Sequence, residues 1–304
     1  MSTIAVLSHI VIDEIHPANG GPVVANVGGA GAFAAVGASL AGDSGTALLV
    51  SGIGTHDRAT LVEWCGDREI SSKGLFDAGA HSPRTRIHYF ADGEREETPM
   101  FGLDHFNSYT PLPVNIPVHF EDLGGAYLFH DLDTTYWERI DEFRGKFSSP
   151  ILWEISAEAC RPENRDAVLE RLPLVDVLSI NEAEAFSLLA VNALPDVVAA
   201  LRGASVMVLL RLGARGSIVL GGGRPVRIGT APTHAADPTG GGNAYSGAFL
   251  TSFAQTGDHA AAGTVAAAAA SVVVANPGSP KVTTAIRSAV QHAATKVSVV
   301  PILD

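Results

Sequence analysis

Cysteine is scarce in this chain of 304 residues, which has only Cys65 and Cys160. Two cysteines exclude a disulfide framework and a structural zinc site, and they are typical of a reducing, cytoplasmic compartment. Charged residues are also few, at 17%, whereas hydrophobic residues make up 46%. This composition excludes a disordered chain and predicts a compact α/β enzyme with a large buried core.

Positive charge is in deficit, since 20 Lys and Arg face 32 Asp and Glu. An acidic surface repels nucleic acids and anionic membranes, so neither is predicted as a partner. Long hydrophobic runs are absent as well. The longest uncharged apolar stretch, residues 260–275, is shorter than the roughly 20 residues of a membrane-spanning helix, and its alanines predict a buried helix. The N-terminus also lacks the pattern of a signal peptide.

Short apolar runs alternate with helical patterns along most of the chain. The runs that predict strands are residues 4–7, 46–50, 128–130, 151–155, 177–180 and 206–210. The stretches that predict helices are residues 28–41, where a glycine-rich turn leads into the helix, and residues 61–66, 135–147, 163–172, 182–190 and 194–202. This alternation predicts βαβ units and a mostly parallel sheet, with ligands bound beyond the carboxyl ends of its strands.

Two polar or extended segments interrupt the alternation, residues 13–25 and 84–110. The second segment has strand-like alternation on both sides of Asp92-Gly93, a dipeptide typical of a hairpin turn. We predict that the two segments pair into a small β lid over the mouth of the α/β core. The chain is then a single domain over residues 1–304, because no linker or second core is evident.

The most specific motif is a glycine loop in front of a helical pattern. Gly240, Gly241 and Gly242 are consecutive and precede a run of small residues. Glycine lets the backbone approach an anion closely, and the N–H groups at a helix N-terminus attract phosphate. The loop therefore predicts a phosphate site, although a plain tight turn has the same pattern. The Walker A sequence GxxxxGK[ST] is absent, which argues against an ordinary P-loop NTPase.

The segment around this loop, Asp237-Pro-Thr-Gly-Gly-Gly-Asn243, resembles the second signature of the ribokinase-like (PfkB-type) carbohydrate kinases. Other segments resemble family motifs in the same order. They are Asp13 after the first strand, the double-glycine stretch 26–42, the N-x-x-E stretch 181–184 and the nucleotide-contacting stretch 212–217. The resemblance extends over essentially the whole chain.

This resemblance implies a ribokinase-like three-layer α/β/α core with a mostly parallel sheet and a small β lid. It implies an ATP-dependent kinase that uses Mg²⁺ and phosphorylates a hydroxymethyl group of a sugar, nucleoside or related small polyol. It also implies a homodimer formed through the lid. The implied residues are Asp13, Gly28, Gly29 and Phe33 for the substrate, Asn181, Gly213, Gly216 and Asn276 for ATP, Glu184 for magnesium, and Asp237, Gly240, Gly241, Gly242 and Asn243 for phosphoryl transfer.

Asn243 is the main departure from the family pattern, which has an aspartate at this place as the general base. An amide cannot accept the proton of the attacking hydroxyl, and loss of a general base lowers a rate by about 10²–10⁴. Asp237 is the candidate for a substitute base. Phe33 replaces a sugar-binding asparagine, and Glu154 replaces an aspartate of many members. The changes at residues 33 and 243 together resemble a less-studied branch of the family.

Three functions remain open on the sequence. The first is a slow kinase, and the second is a ribokinase-fold sensor or scaffold that binds a nucleotide or metabolite without turnover. The third, an oxidoreductase, needs a GxGxxG motif, but residues 29–34 lack its third glycine. Structural roles also remain open, since Asn181 and Glu184 have the spacing of a capping box and Asn276 could end a helix.

Overall fold

The computed structural model describes residues 3–18, 20–90 and 95–302. The strands in these residues are β1 (Thr3–Leu7), β2 (Val11–His16), β3 (Val24–Gly28), β4 (Ala47–Gly54), β5 (Ser71–Gly79), β6 (Arg84–Tyr89), β7 (Arg95–Pro99), β8 (Leu123–His130), β9 (Ile151–Ile155), β10 (Val177–Asn181), β11 (Met207–Arg211), β12 (Ser217–Leu220), β13 (Val226–Ile228) and β14 (Val299–Pro301). The α-helices are α1 (Ala30–Ala41), α2 (Arg58–Gly66), α3 (Gly102–Ser108), α4 (Thr134–Arg144), α5 (Arg165–Arg171), α6 (Glu182–Leu189), α7 (Leu194–Leu201), α8 (Gly241–Thr256), α9 (His259–Val274) and α10 (Thr284–Ala294).

Ten strands form one large sheet, in the order β14-β13-β12-β11-β10-β9-β8-β1-β4-β5. The strands from β11 to β5 in that order are parallel, and β12, β13 and β14 are antiparallel. Helices α1, α8, α9 and α10 contribute to the core on one face, and α4 to α7 to the core on the other. The predicted α/β class with a mostly parallel sheet is confirmed.

The central strands are apolar because helices cover both of their faces. Every residue of β4 and β9 is buried, which explains why continuous apolar runs predicted these strands. The edge strand β5 escaped prediction, since its half-exposed sequence Ser71–Gly79 contains polar residues and two glycines. Alternation of side chains along each strand assigns every second residue to the face that α8 covers.

Helices α1 and α8 cross so closely that only small residues fit between them. A Cβ atom at Gly37 would collide with the carbonyl group of Ala244, and one at Gly247 would collide with that of Ala34. The alanine-rich stretch predicted to be a buried helix is α9, which packs against α8. Of the described residues, no single helix is long and apolar enough to cross a membrane, and only α6 with α7, bent by 73°, passes that test as a pair.

A second sheet of four strands has the order β3-β2-β6-β7. Its strands come from the two segments that interrupt the α/β alternation, with β2 and β6 parallel and the other neighbours antiparallel. The hairpin turn predicted at Asp92-Gly93 lies outside the described residues. That this sheet acts as a lid, within one domain over residues 1–304, stays a prediction.

Candidate active site

Helix α8 begins at the glycine loop. Gly240 is the N-cap in the left-handed conformation, with φ of 74°, and its carbonyl accepts the N–H of Ala244 at 2.9 Å. The N–H of Gly241 donates to the carbonyl of Pro238. The N–H groups of Gly242 and Asn243 have no backbone partner among the described residues. These groups and the positive end of the helix dipole favour an anion.

A cavity of about 480 Å³ opens beside this loop. Gly241 and Gly242 line it, together with Gly213 and Gly216 from the turn after β11. Small apolar residues of α9 form another part of its wall, among them Ala267, Ala270 and Val274. A wall of this kind suits a flat apolar ring, and the volume lies in the usual range for small-molecule sites.

Polar side chains stand in otherwise apolar strands on the sheet face that α8 covers, among them Tyr127, Glu154, Ser179 and Arg211. Strand register explains their grouping, because Glu154 of β9 lies opposite Ser179 of β10 and two residues beyond the partner of Tyr127. Ser179 bonds to Ser246 of α8 at 2.8 Å. The polar row therefore lies directly under the first turns of this helix.

Glu154 is the centre of the row and is only 2% exposed. Its Oε2 accepts the Tyr127 hydroxyl at 2.9 Å, and its Oε1 accepts Asn243 Nδ2 at 2.9 Å and a guanidinium nitrogen of Arg211 at 2.8 Å. Burial, followed by the charge of Glu154, raises the pKa of Tyr127 well above its usual value. Glu154 therefore contacts three donor side chains, one each from β8, α8 and β11.

The orientation of the Asn243 amide follows from this contact. A carboxylate only accepts hydrogen bonds, so the atom facing Glu154 must be Nδ2, which also lies 3.3 Å from the Tyr127 hydroxyl. The oxygen Oδ1 is the other end of the same planar group. No contact of Oδ1 is found within the described part of the chain, so Oδ1 can accept a hydrogen bond from a hydroxyl group, although an amide cannot remove a proton.

Asn181 and Glu184 form a capping box at the start of α6. The N–H of Glu184 donates to Asn181 Oδ1 at 2.9 Å, and the N–H of Asn181 donates to Glu184 Oε2 at 2.8 Å. This Oε2 also lies 3.6 Å from Arg211, and burial raises the pKa of Glu184. Asn181 and Glu184 therefore cap helix α6, and the Glu184 carboxylate also faces the guanidinium of Arg211.

The residues predicted to bind substrate lie together on the other side of the loop. The Asp13 carboxylate lies against Gly28, where a Cβ atom would collide with it, and Gly29 has a φ of 88° that favours glycine. The ring of Phe33 packs against Gly240 and leaves no room for a Cβ atom there. Phe33 therefore joins the substrate-binding group to the glycine loop.

The sequence matches the pfkB family of carbohydrate kinases over residues 1–284. The chain belongs to this family. No curated protein matches the sequence. The predicted ribokinase-like identity is thereby confirmed, whereas the assignment to a branch with GGGN in place of GAGD stays a prediction.

Solved structures share the fold of this pfkB-family chain. A nucleoside kinase of Methanocaldococcus jannaschii, an archaeal member of the ribokinase family, has 19% identity and a TM-score of 0.74, over 97% of this chain and 99% of that one. The adenosine kinase of Sinorhizobium meliloti has 17% identity and a TM-score of 0.74, over 97% and 99%. The ribokinase of Cryptococcus neoformans var. grubii, solved with ADP, has 17% identity and a TM-score of 0.70, over 97% and 99%.

Asn276 and Asp237, which were predicted for the pfkB site, are not among the residues that line the cavity. Asn276 follows the end of α9, and its Nδ2 donates to the carbonyl of Val272 at 2.8 Å. Asp237 accepts the N–H of Thr239 through Oδ1 at 2.9 Å, a turn that orders the approach to the glycine loop. Their roles toward ATP and the transferred proton stay predictions.

The sequence analysis did not identify three polar residues near the site, namely Arg211, Tyr127 and His9. Arg211 ends the otherwise apolar strand β11, and Tyr127 lies inside β8. A charged or hydroxyl-bearing residue within a buried parallel strand is the signal that could have found both. His9 follows β1, stacks on Phe106 with 4.0 Å between ring centroids and is only 8% exposed.

Proposed function

We propose that this pfkB-family protein is an ATP-dependent phosphotransferase that acts on a hydroxymethyl group of a sugar, nucleoside or related small polyol. One observation carries the proposal: the glycine loop borders the cavity at Gly241 and Gly242 and contacts Phe33 at Gly240. Gly242 lies toward Arg211 and the cavity, whereas Gly240 lies toward Phe33. A phosphoryl group over this loop would lie between a donor and an acceptor.

The cavity suits the donor nucleotide. The apolar residues of α9 would take the base, and Gly213 and Gly216 would allow close approach of the ribose and phosphates. The terminal phosphate would lie over Gly241 and Gly242, which have no side chains to keep it away from the backbone. Preorganised N–H groups at this position would stabilise the charge that develops on the transferring group. The ADP complex of the ribokinase from Cryptococcus neoformans supports a nucleotide for this fold.

Magnesium fits the site as a partner of the nucleotide and not as a resident ion. Of the residues that the structure describes, no group of three or more His, Cys, Asp or Glu side chains could hold a metal. Glu184 lies beside the loop and would contact a nucleotide-bound Mg²⁺ through water, as this ion usually keeps several waters. When bound, Mg²⁺ would neutralise charge on the phosphates.

Asn243 sets the expected rate. Its Oδ1 can accept a hydrogen bond from the acceptor hydroxyl and hold it in line with the phosphate. Since phosphoryl transfer depends mainly on positioning and charge stabilisation, an amide at this place slows the reaction by about 10²–10⁴ without abolishing it. The same residue favours the alternative of a protein that binds nucleotide as a sensor or scaffold without turnover.

A substrate-panel assay tests this proposal. Purified protein with Mg·ATP is incubated with sugars, nucleosides and polyols, and both ADP and phosphorylated product are measured. We expect slow, acceptor-dependent ADP formation with one of these classes, and a further loss of rate in Asn243→Ala. The exposed Asn192 provides a matched control, since Asn192→Ala should leave the rate unchanged. ATP binding by calorimetry without any acceptor-dependent turnover would assign the sensor or scaffold instead, and no ATP binding would contradict both.

A further inference from the structure

Arg211 is the one charged side chain among the described residues that line the cavity. It ends β11, where its neighbour in register on β10 is Asn181. Its side chain is 12% exposed, and its guanidinium lies so close under Gly242 that a Cβ atom there would collide with it. A glycine at position 242 thus brings a cation into contact with the backbone of the anion-binding loop.

Only part of this guanidinium is used within the protein. One terminal nitrogen bonds to Glu154 at 2.8 Å, and the other is 3.6 Å from Glu184, beyond hydrogen-bond distance. Nε is buried and has no hydrogen-bond partner in the part of the chain that the structure describes. An arginine has five N–H donors in a rigid fork. The buried Nε is out of reach of a ligand in the cavity, so the donors left for a ligand are those of the two terminal nitrogens.

We propose that Arg211 is the phosphate-binding cation of this cavity and that Glu154 is its positioning residue. The inference rests on the proposed function for the identity of the ligand as a nucleoside triphosphate. Arg211 would donate to the oxygens of the terminal phosphates over Gly241 and Gly242. Because Glu154 holds both Arg211 and Asn243, one buried carboxylate sets the geometry on the phosphate side and on the acceptor side.

The competing explanation is that Arg211 only neutralises Glu154. A single Arg211→Gln change would leave a buried carboxylate unpaired and could unfold the protein. The double variant Arg211→Gln/Glu154→Gln removes both charges together; the change at Glu154 keeps the side-chain shape, and the change at Arg211 shortens the side chain. The variant Arg211→Lys keeps the charge but loses the fork. Arg144, whose pair with Asp176 lies at the amino end of β10, the end opposite to Asn181, provides the control Arg144→Gln.

The experiment is calorimetric titration of each variant with ATP, inorganic tripolyphosphate and adenosine. We expect the double variant to bind ATP and tripolyphosphate about 10- to 100-fold more weakly than the wild type, the range for hydrogen bonds to a charged group. Adenosine affinity should be unchanged. Arg211→Lys should be intermediate, and Arg144→Gln should bind all three probes as the wild type does.

Two results would overturn the inference. One is equal affinity of the wild type and the double variant for ATP and tripolyphosphate, which leaves the proposed function intact. The other is an equal loss of adenosine affinity, which assigns a purely structural role to the pair. If phosphate binding depends on Arg211 but no acceptor is ever phosphorylated, the inference stands and the proposed phosphotransferase fails.

Discussion

The side-chain amide of Asn243 donates to the buried carboxylate of Glu154 across 2.9 Å. The position where the pfkB pattern has an acid therefore carries an amide, and an acid lies directly beneath it on β9. Restoring the family aspartate at position 243 would place two carboxylates in contact. Asn243 and Glu154 must then be considered as a pair in any account of the reaction.

Asn243→Asp alone should leave phosphoryl transfer near the wild-type rate or lower it. Two carboxylates about 3 Å apart in a buried site cannot both be ionised, so one of them holds a proton near neutral pH and the pair is less able to take a second proton from the acceptor. The double variant Glu154→Gln/Asn243→Asp removes this conflict and should exceed the single variant by about 10²-fold, the lower range for a general base. Initial rates across a pH series with a verified acceptor measure the difference. A full gain in the single variant would show that Glu154 does not oppose an acid at position 243.

Gly240→Ala should destabilise the protein and weaken ATP binding. Alanine in the left-handed conformation costs about 1–2 kcal/mol, and the clash with the Phe33 ring adds about 1–3 kcal/mol. Gly257, at the other end of α8, has a φ of 67° and no atom within 4 Å of its Cβ position. Gly257→Ala therefore carries the backbone penalty alone. Urea unfolding and ATP titration of both variants measure what the clash with Phe33 adds to the backbone penalty. Equal losses of stability in the two variants would contradict a contact between Gly240 and Phe33.

Gly37→Ala should be among the most damaging changes at the interface of α1 and α8. Its Cβ atom would meet the backbone of Ala244, which cannot rotate aside, so we expect a loss of about 3 kcal/mol or insoluble protein. Gly66 ends α2 and has open space at its Cβ position. Gly66→Ala should be neutral or stabilising, since alanine favours a helix. Comparable unfolding midpoints for the two variants would refute the close helix crossing.

The stability of the protein should decrease as the pH is lowered, because of His9. Burial lowers the pKa of His9 from 6.5 to about 4 in the folded protein, and the nearby His130 lowers it further, against a hydrogen bond from the ring to the Phe106 carbonyl. Between these two values the unfolded chain binds more protons than the folded one, so stability is lost as pH falls from 6.5 towards 4. The loss amounts to about 3 kcal/mol at most.

Urea unfolding at several pH values in this window measures the effect. His9→Gln cannot titrate, so its stability should change less with pH than that of the wild type over the same window. An identical pH dependence in both proteins would show that other groups account for the acid sensitivity.

Much of the fold could be predicted because its signals are local. The strands β9, β10 and β11 are mostly apolar runs, as burial on both faces favours. The glycine loop was predicted from Gly240 to Gly242 and begins α8 at Gly241. The edge strand β5 and the short helix α3 were missed, since neither shows clear periodicity.

The candidate site was predicted only where its residues form motifs. Gly213 and Gly216 line the cavity, whereas Arg211, two residues earlier, was missed because it belongs to no family motif. Glu154 was noted as a departure, but its partners were not foreseen. A single buried acid in a strand does not reveal which groups neutralise it.

The amino-acid order alone determined the sequence of strands and helices and the place of the anion-binding loop, because apolar periodicity and glycine act over a few neighbouring residues. Only the tertiary structure decided that Glu154 meets Asn243, 89 residues later in the chain, and shares its charge with Arg211. The register of β9, β10 and β11 brings these groups under the first turn of α8, and register depends on the packing of the whole sheet.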